Sequence, residues 1–149
     1  MKELLQKYVF DKYSKEGNVG IFFSGFDKNG TQIFSNGVFQ TQETLESVLE
    51  NIYDGIIAEH EQNINMIAVD VISEKEELTN PNDILSTDIK NYGFLLVSLN
   101  DESSGIILPN TSGVADAKNS LSLIKQKYEL SGNVSIYRFK TDRFVIRKE

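Results

Sequence analysis

The sequence has no cysteine among its 149 residues and a single histidine, His60. These two residue types supply most thiolate nucleophiles, redox centres and zinc ligands in proteins. A disulfide framework is therefore excluded, and a zinc site, which needs three or four ligands, would have to rely on carboxylates. We expect no metal and no cofactor. The absence of cysteine also fits a reducing compartment, which favours a cytoplasmic protein.

Long apolar runs are missing as well. No stretch approaches the roughly 18 consecutive apolar residues of a membrane-spanning helix. Residues 1–7 lack the apolar segment of a signal peptide. We therefore expect no membrane association and a cytoplasmic location.

Positive charge is scarce, because 15 Lys and Arg residues stand against 22 Asp and Glu residues, for a formal net charge of −7. Nucleic-acid binding draws its affinity from clustered Lys and Arg, so we expect no nucleic-acid partner. One local basic stretch contains Arg138, Lys140, Arg143, Arg147 and Lys148. Its alternation with aromatic residues is typical of a solvated strand face or a charged sheet edge rather than an RNA surface.

The composition is otherwise that of an ordinary globular domain, with 40% hydrophobic and 25% charged residues. A chain of this length can bury roughly 70% of the surface that its unfolded form exposes, enough for one core. We predict a single domain over residues 1–149.

Hydrophobic periodicity and turn residues predict the order of the elements. In the first half they predict a helix over about residues 4–12, a hairpin over 19–39 with its turn at 27–30, a helix capped by Thr41 or Thr44 and running to Ile56, and a buried strand over 64–72. In the second half they predict a polar irregular connection over 74–88, a hairpin of 92–99 and 105–108, a helix from about Gly113 capped by Ser112, and a third hairpin of 133–140 and 143–147. The predicted fold class is α+β: a mainly antiparallel sheet of about six to seven strands, built from three hairpins and one internal strand, with three helices packed on it.

Three features follow one another in the second half: the strand 93–97, the sequence Gly-Ile-Ile-Leu-Pro at 105–109 and the triplet Tyr137-Arg138-Phe139. In this order they resemble the C-terminal half of the AMMECR1 family. In that family a glycine-containing strand leads to a Gly-Leu-Leu-Leu-Pro-like strand, a helix and a terminal strand with Tyr-Arg-Phe. The strand at 67–73, the opening helix and the first hairpin also fall where the family has its own. The resemblance therefore covers most of the chain.

The chain departs from the family at its most distinctive motif. The family's Leu-Arg-Gly-Cys-Ile-Gly would fall on residues 34–39, where this sequence retains Gly37 but has neither the arginine nor the cysteine. No thiolate or guanidinium role is therefore implied at that place. The resemblance does imply two partners, a Memo-like protein and a radical SAM protein.

Two short segments are candidate binding sites. Ser35, Asn36 and Gly37 interrupt the return strand of the first hairpin, which predicts a β-bulge, a turn or a close backbone approach. The functional hypothesis is that they border a pocket that binds through hydroxyl, amide and backbone groups. The second candidate comprises Pro109, Asn110 and Thr111. These residues would open a helix whose backbone N–H groups hold a small anion, although a turn and a helix cap also explain them.

No catalytic residue is predicted. His60, between Glu59 and Glu61, is interpreted as an exposed residue at a helix end rather than a base, because no second histidine or cysteine supports it. The acidic residues between Glu74 and Asp83 lack the spacing of a calcium loop and indicate a solvated segment.

The leading functional hypothesis is an AMMECR1-like domain that binds a small molecule or a protein partner without a catalytic cysteine of its own. The alternative is a substrate-handling subunit whose chemistry resides in the metal or radical cofactor of a Memo-like or radical SAM partner. A purely structural subunit is a third reading.

Overall fold

The computed structural model describes residues 1–101 and 103–148 of the chain, and within these ranges six strands and five α-helices are present. The strands are β1 Ile21–Phe26, β2 Gln32–Val38, β3 Met66–Leu78, β4 Gly93–Ser98, β5 Ser104–Ile107 and β6 Val134–Arg147. The helices are α1 Lys2–Lys12, α2 Leu45–Ile52, α3 Ala58–His60, α4 Pro81–Leu85 and α5 Ala117–Lys127, with a π-helical turn at Tyr53–Ile57 and a 3₁₀ turn at Glu61–Asn63.

The strands hydrogen-bond in the order β2-β1-β3-β6-β4-β5. The pairings of β1 with β2 and β3, and of β4 with β5 and β6, are antiparallel. The predicted α+β class is therefore confirmed. By its internal contacts the chain forms two compact units, unit 1 with Met1–Ile72 and Asp142–Glu149, and unit 2 with Ser73–Thr141.

Unit 1 buries one face of its strands beneath α1 and α2. Leu5 of α1 and Leu49 of α2 belong to the same buried cluster as Ile21 and Phe23 of β1. Thr44 caps α2, because its hydroxyl accepts the backbone N–H of Ser47 at 3.2 Å. Thr44 is one of the two caps that the sequence predicts.

Side chains alternate between the two faces of a strand, so the unit 1 strands also have a face opposite the one covered by α1 and α2. We call it the second face. Ser24 of β1 is paired with Ser35 of β2 and with Ala68 of β3. In the next row, Phe22 is paired with Gly37 and with Asp70. The second face thus carries polar as well as apolar residues.

Unit 2 has its own buried cluster, formed around Phe94 and Leu96 of β4 and Ile124 of α5. The prediction for the start of α5 was wrong: Asp116, not Ser112, caps the helix, and its carboxylate accepts the backbone N–H of Asn119 at 2.8 Å. Aspartate at this position is as good a cap as serine, and the helix therefore begins four residues after Gly113.

The polar connection predicted over residues 74–88 was wrong. β3 continues to Leu78, and Asn80 then caps the short helix α4. Exposed residues of β3 are held by cross-strand ion pairs, of Glu74 with Lys140 and of Glu76 with Arg138. β3 is hydrogen-bonded to β6 in the strand order, and these opposite charges on neighbouring strands add a small stabilisation to the extended stretch.

The predicted third hairpin was wrong as well. β6 runs without a turn from Val134 to Arg147, through Thr141 and Asp142. A two-residue hairpin turn needs residues that accept positive φ, usually with glycine, and β-branched Thr141 favours the extended conformation instead. The six strands therefore comprise two hairpins and two long strands.

Candidate functional site

Unit 1 contains an open cleft of about 730 Å³ between the β1–β2 turn and the segment that precedes β3. We call it the amide cleft, because four side-chain amides line it: Asn29, Gln62, Asn63 and Asn65. The remaining lining residues are Asp27, Lys28, Ile33, Ile64 and Lys148. Its volume lies within the range of roughly 300–1,000 Å³ that is usual for small-molecule sites.

The first wall is the turn after β1, and it is held by its own hydrogen bonds. The Asp27 carboxylate accepts the backbone N–H groups of Asn29 and Thr31, both at 2.9 Å. Gly30 has φ +80°, a conformation that glycine adopts without a steric penalty. The turn therefore presents Asn29 and Lys28 to the cleft from a fixed backbone.

The second wall is the segment from Glu61 to Asn65, which is hydrogen-bonded to β1 and to the residue that follows β6. The Asn65 N–H donates to the Phe26 carbonyl at 2.8 Å, and the Lys148 N–H donates to the Asn65 carbonyl at 2.9 Å. The Lys148 ammonium also donates to the Glu61 carbonyl at 3.0 Å. Ile64, which is 2% exposed, anchors the wall in the core of unit 1.

The cleft offers hydrogen-bonding groups and a local excess of positive charge. Each primary amide has two donor hydrogens and one acceptor oxygen. In the part of the chain that the structure describes, none of the four side-chain amides bonds to another protein group, so all of them face solvent. The charged residues that line the cleft are two lysines and one aspartate, although the whole chain carries a net charge of −7.

Glu61, at the start of the second wall, accepts a hydrogen bond from the buried phenol of Tyr53. Burial, followed by this bond and by the carboxylate charge, raises the pKa of Tyr53 from 10.0 to about 12. The bond from Tyr53 lowers the pKa of Glu61 below its ordinary value. Tyr53 belongs to the π-helical turn that contains Gly55, so this irregular turn positions the wall of the cleft.

Replacing Tyr53 by phenylalanine should change how the free energy of unfolding depends on pH in alkaline solution. Because the folded-state pKa of Tyr53 is raised, its contribution is fully present below pH 10.0 and is lost as the pH rises towards about 12. The wild type should therefore lose more unfolding free energy than Tyr53→Phe over this interval in guanidinium titrations at stepped pH. Tyr8→Phe, which alters an exposed tyrosine of α1, is the control. If the wild type and Tyr53→Phe lose equal amounts of unfolding free energy over this pH interval, the raised pKa of Tyr53 is contradicted.

Ser35, Asn36 and Gly37 do not form a bulge. They lie in regular pairing with β1, and the irregularity is instead between Gly25 and Phe26. The close backbone approach is the alternative that the structure confirms, because a Cβ on Gly37 would lie 2.3 Å from the Ile21 carbonyl oxygen. Ser35 and Gly37 are on the second face, whereas Asn36 shares the opposite face with Phe23.

The second face holds an ion pair that the sequence reading missed. Asp70 is 0% exposed, and its Oδ1 accepts a hydrogen bond from Nε of Arg143 at 2.8 Å. Beside this pair, the hydroxyls of Ser24 and Ser35 are 3.3 Å apart. The sequence does contain a signal for this pair, because Asp70 stands inside an otherwise apolar stretch of strand. A charge is seldom buried without a partner of opposite charge.

Pro109, Asn110 and Thr111 lie in unit 2, in a turn that ends before α5 begins. The Asn110 N–H donates to the Ile89 carbonyl at 2.9 Å, and the Thr111 hydroxyl donates to the Leu108 carbonyl at 2.7 Å. The predicted helix N-terminus is therefore wrong at this place. Asn110 and Thr111 do line a separate cavity of about 350 Å³, together with Asp88 and Asp116.

His60 is half-buried rather than exposed. Its ring stacks on Phe34, with the centroids 5.7 Å apart, and its Nε2 is 3.3 Å from Oε1 of Glu59. It does not line the amide cleft. Its contacts indicate a role in packing.

Across residues 1–101 and 103–148 the His, Cys, Asp and Glu side chains form no group of three or more that could hold a metal ion. None of the helices in this part of the chain is long and apolar enough to cross a membrane.

Comparison with known proteins shows the fold but no family. Neither a scan against protein-family models nor a search of curated proteins finds a match. Among solved structures, the chain is similar to the uncharacterized protein PH0010 from Pyrococcus horikoshii, with a TM-score of 0.74 and 15% sequence identity. The match covers 97% of this chain and 86% of that one. At this identity the likeness establishes a shared fold.

Proposed function

We propose that this chain is an AMMECR1-like binding domain that holds a small organic anion in the amide cleft, without a catalytic cysteine of its own. The observation that carries the proposal is the cleft itself: a volume of about 730 Å³ lined by four side-chain amides and two lysines, on walls that hydrogen bonds hold in place. The family assignment rests on the sequence motifs at residues 105–109 and 137–139.

The charges of the lining residues select the class of ligand. Lys28 and Lys148 provide ammonium groups, while the carboxylate of Asp27 accepts two backbone N–H groups of its own turn. A hydrogen bond to a charged group contributes about 1.5–3 kcal/mol, roughly twice the value for a neutral pair. A carboxylate or phosphate group is therefore the best complement to this cleft. Ile33 and Ile64 would contact a short apolar body attached to it.

The alternative function uses the same cleft. In it the chain presents a bound substrate to a Memo-like and a radical SAM partner, the two proteins that the family resemblance implies. The alternatives differ in one measurable respect, because a binding domain retains its ligand alone and a substrate-handling subunit needs its partners for tight retention.

The test uses citrate as the carboxylate probe and glycerol 3-phosphate as the phosphate probe, titrated into the purified chain and followed by calorimetry. At least one probe should bind, and the double variant Lys28→Gln/Lys148→Gln should bind it at least about tenfold more weakly. The matched control is Lys118→Gln/Lys125→Gln, which removes the same charge from exposed positions of α5.

Binding that is equally weak in both double variants would show that net charge, rather than the cleft, attracts the probes. Binding of neither probe to the wild type alone, but of one of them in the presence of the two partners, would favour the alternative function. Binding of neither probe in either setting would overturn the proposal.

A further inference from the structure

Asparagine followed by glycine occurs twice in the sequence, at Asn29-Gly30 and at Asn36-Gly37. Asparagine is among the thermolabile residues, because its side-chain amide can lose ammonia. A following glycine favours this reaction, since it has no Cβ to hinder the approach of its backbone nitrogen to the asparagine side chain. Both asparagines are exposed, so exposure does not distinguish the two places. Their backbone surroundings do.

The backbone at Asn36-Gly37 is held in a conformation that opposes the reaction. The reaction closes a ring, and ring closure requires rotation about the Cα–C bond of the asparagine. Asn36 and Gly37 lie in continuous antiparallel pairing with β1, which such a rotation would break. The backbone of β1 also crowds the glycine, because a Cβ placed on Gly37 would lie 2.3 Å from the Ile21 carbonyl oxygen.

Asn29-Gly30 lies in the β1–β2 turn, where these restraints are weaker. A Cβ placed on Gly30 would meet no atom within 4 Å. The hydrogen bonds that hold the turn are local: the Gly30 N–H donates to the Asp27 carbonyl at 3.0 Å, and the Asp27 carboxylate accepts the N–H groups of Asn29 and Thr31. The turn can therefore open without disturbing the pairing of β1 with β2.

We propose that Asn29 is a modification site, at which the side-chain amide is converted to a carboxylate with loss of ammonia. The Gly30 nitrogen attacks Cγ of Asn29, the bond from Cγ to Nδ2 breaks, and ammonia leaves with the hydrogen of the Gly30 amide. Water then opens the resulting cyclic imide at either of its carbonyl carbons. The product is an aspartate or an isoaspartate in place of Asn29.

The modification changes the amide cleft, because Asn29 is one of its lining residues. A carboxylate has no donor hydrogen, so the two donors of the amide are lost and a negative charge is added. The two lysines of the cleft then stand beside two carboxylates instead of one. Like charges placed side by side are unfavourable, so the affinity for an organic anion should fall at least about tenfold. This consequence rests on the proposed function.

The modification itself is measured without any ligand. The purified chain is incubated in mildly alkaline buffer, which promotes loss of the backbone amide proton, and peptide mapping by mass spectrometry gives the rate of acid formation at each asparagine. The rate at Asn29 should exceed the rate at Asn36 by at least about tenfold, because the strand pairing adds broken hydrogen bonds to the barrier at Asn36. A rate at Asn29 equal to or below that at Asn36 would overturn the proposal.

The effect on the cleft is measured by calorimetry with the probe that the unmodified chain binds. Asn29→Asp should bind this probe at least about tenfold more weakly, whereas Asn51→Asp, which adds the same charge at an exposed position of α2, should bind it as the wild type does. Equal affinities of Asn29→Asp and the wild type would overturn the effect on the cleft. An unmodified chain that binds neither citrate nor glycerol 3-phosphate would overturn the proposed function instead, and the rates at Asn29 and Asn36 would still decide the modification.

Discussion

Replacing Arg143 by alanine is expected to lower the free energy of unfolding by about 1.5–3 kcal/mol, the usual contribution of a hydrogen bond to a charged group. Asp70 is 0% exposed, and the Arg143 guanidinium lies 2.8 Å from its Oδ1. The Asp70 carboxylate is buried while the Arg143 side chain is 36% exposed, so removing the guanidinium takes away a solvent-screened partner of a buried charge whose desolvation cost is unchanged. Urea unfolding of the variant, extrapolated to water, provides the measurement. A loss of this size is a large part of the 5–15 kcal/mol by which an ordinary domain is stable.

Two further variants make this result specific. Arg147→Ala removes an exposed arginine from the same strand and should change stability by no more than about 0.5 kcal/mol. Asp70→Asn in the Arg143→Ala background removes the buried charge and should recover part of the loss. Equal effects of Arg143→Ala and Arg147→Ala would show that the pair contributes no more than a surface contact.

Gly37→Val should destabilise the chain by about 3 kcal/mol, the upper end of the range for overpacking. A Cβ at this position would lie 2.3 Å from the Ile21 carbonyl oxygen and 2.6 Å from the Phe22 Cα. Both are backbone atoms, so no side-chain rotation relieves the contact. Strand propensity alone predicts the opposite result, because valine is favoured and glycine disfavoured in strands.

The neighbouring residue provides the control for this substitution. Asn36→Val introduces the same side chain at an exposed position of the same strand, where it should be neutral within about 0.5 kcal/mol. Thermal or urea unfolding distinguishes the two variants. A Gly37→Val chain as stable as Asn36→Val would mean that β1 and β2 can separate without cost, and the close approach would then have no energetic importance.

Local chemistry in the sequence predicted the features that depend on neighbouring residues. The cap at Thr44 and the tight turn at residues 27–30 follow from side-chain oxygens and a glycine within a few positions. The wrong predictions concern stretches whose conformation is set across the sheet. Residues 74–78 remain in a strand beside β6, whose Lys140 and Arg138 pair with Glu74 and Glu76 from more than 60 residues further along the chain.

The candidate site could not be predicted from the sequence for the same reason. The amide cleft joins the turn at Asn29, the segment at Asn63 and the distant Lys148, and no motif spacing connects these positions. Asp70 and Arg143 are 73 residues apart. The sequence pattern does place Ser35 and Gly37 on one strand, but which face each occupies depends on the register with β1.

The most direct test of the proposed function is an amide NMR titration of the isotope-labelled chain with the probe that binds in calorimetry. The expected result is that the largest shifts occur in the side-chain amides of Asn29, Gln62, Asn63 and Asn65, and that Lys28→Gln/Lys148→Gln needs at least about tenfold more probe to reach the same shifts. Shifts confined to the cavity beside Asn110 and Thr111, or spread evenly over the surface, would contradict the assignment of the ligand to the amide cleft.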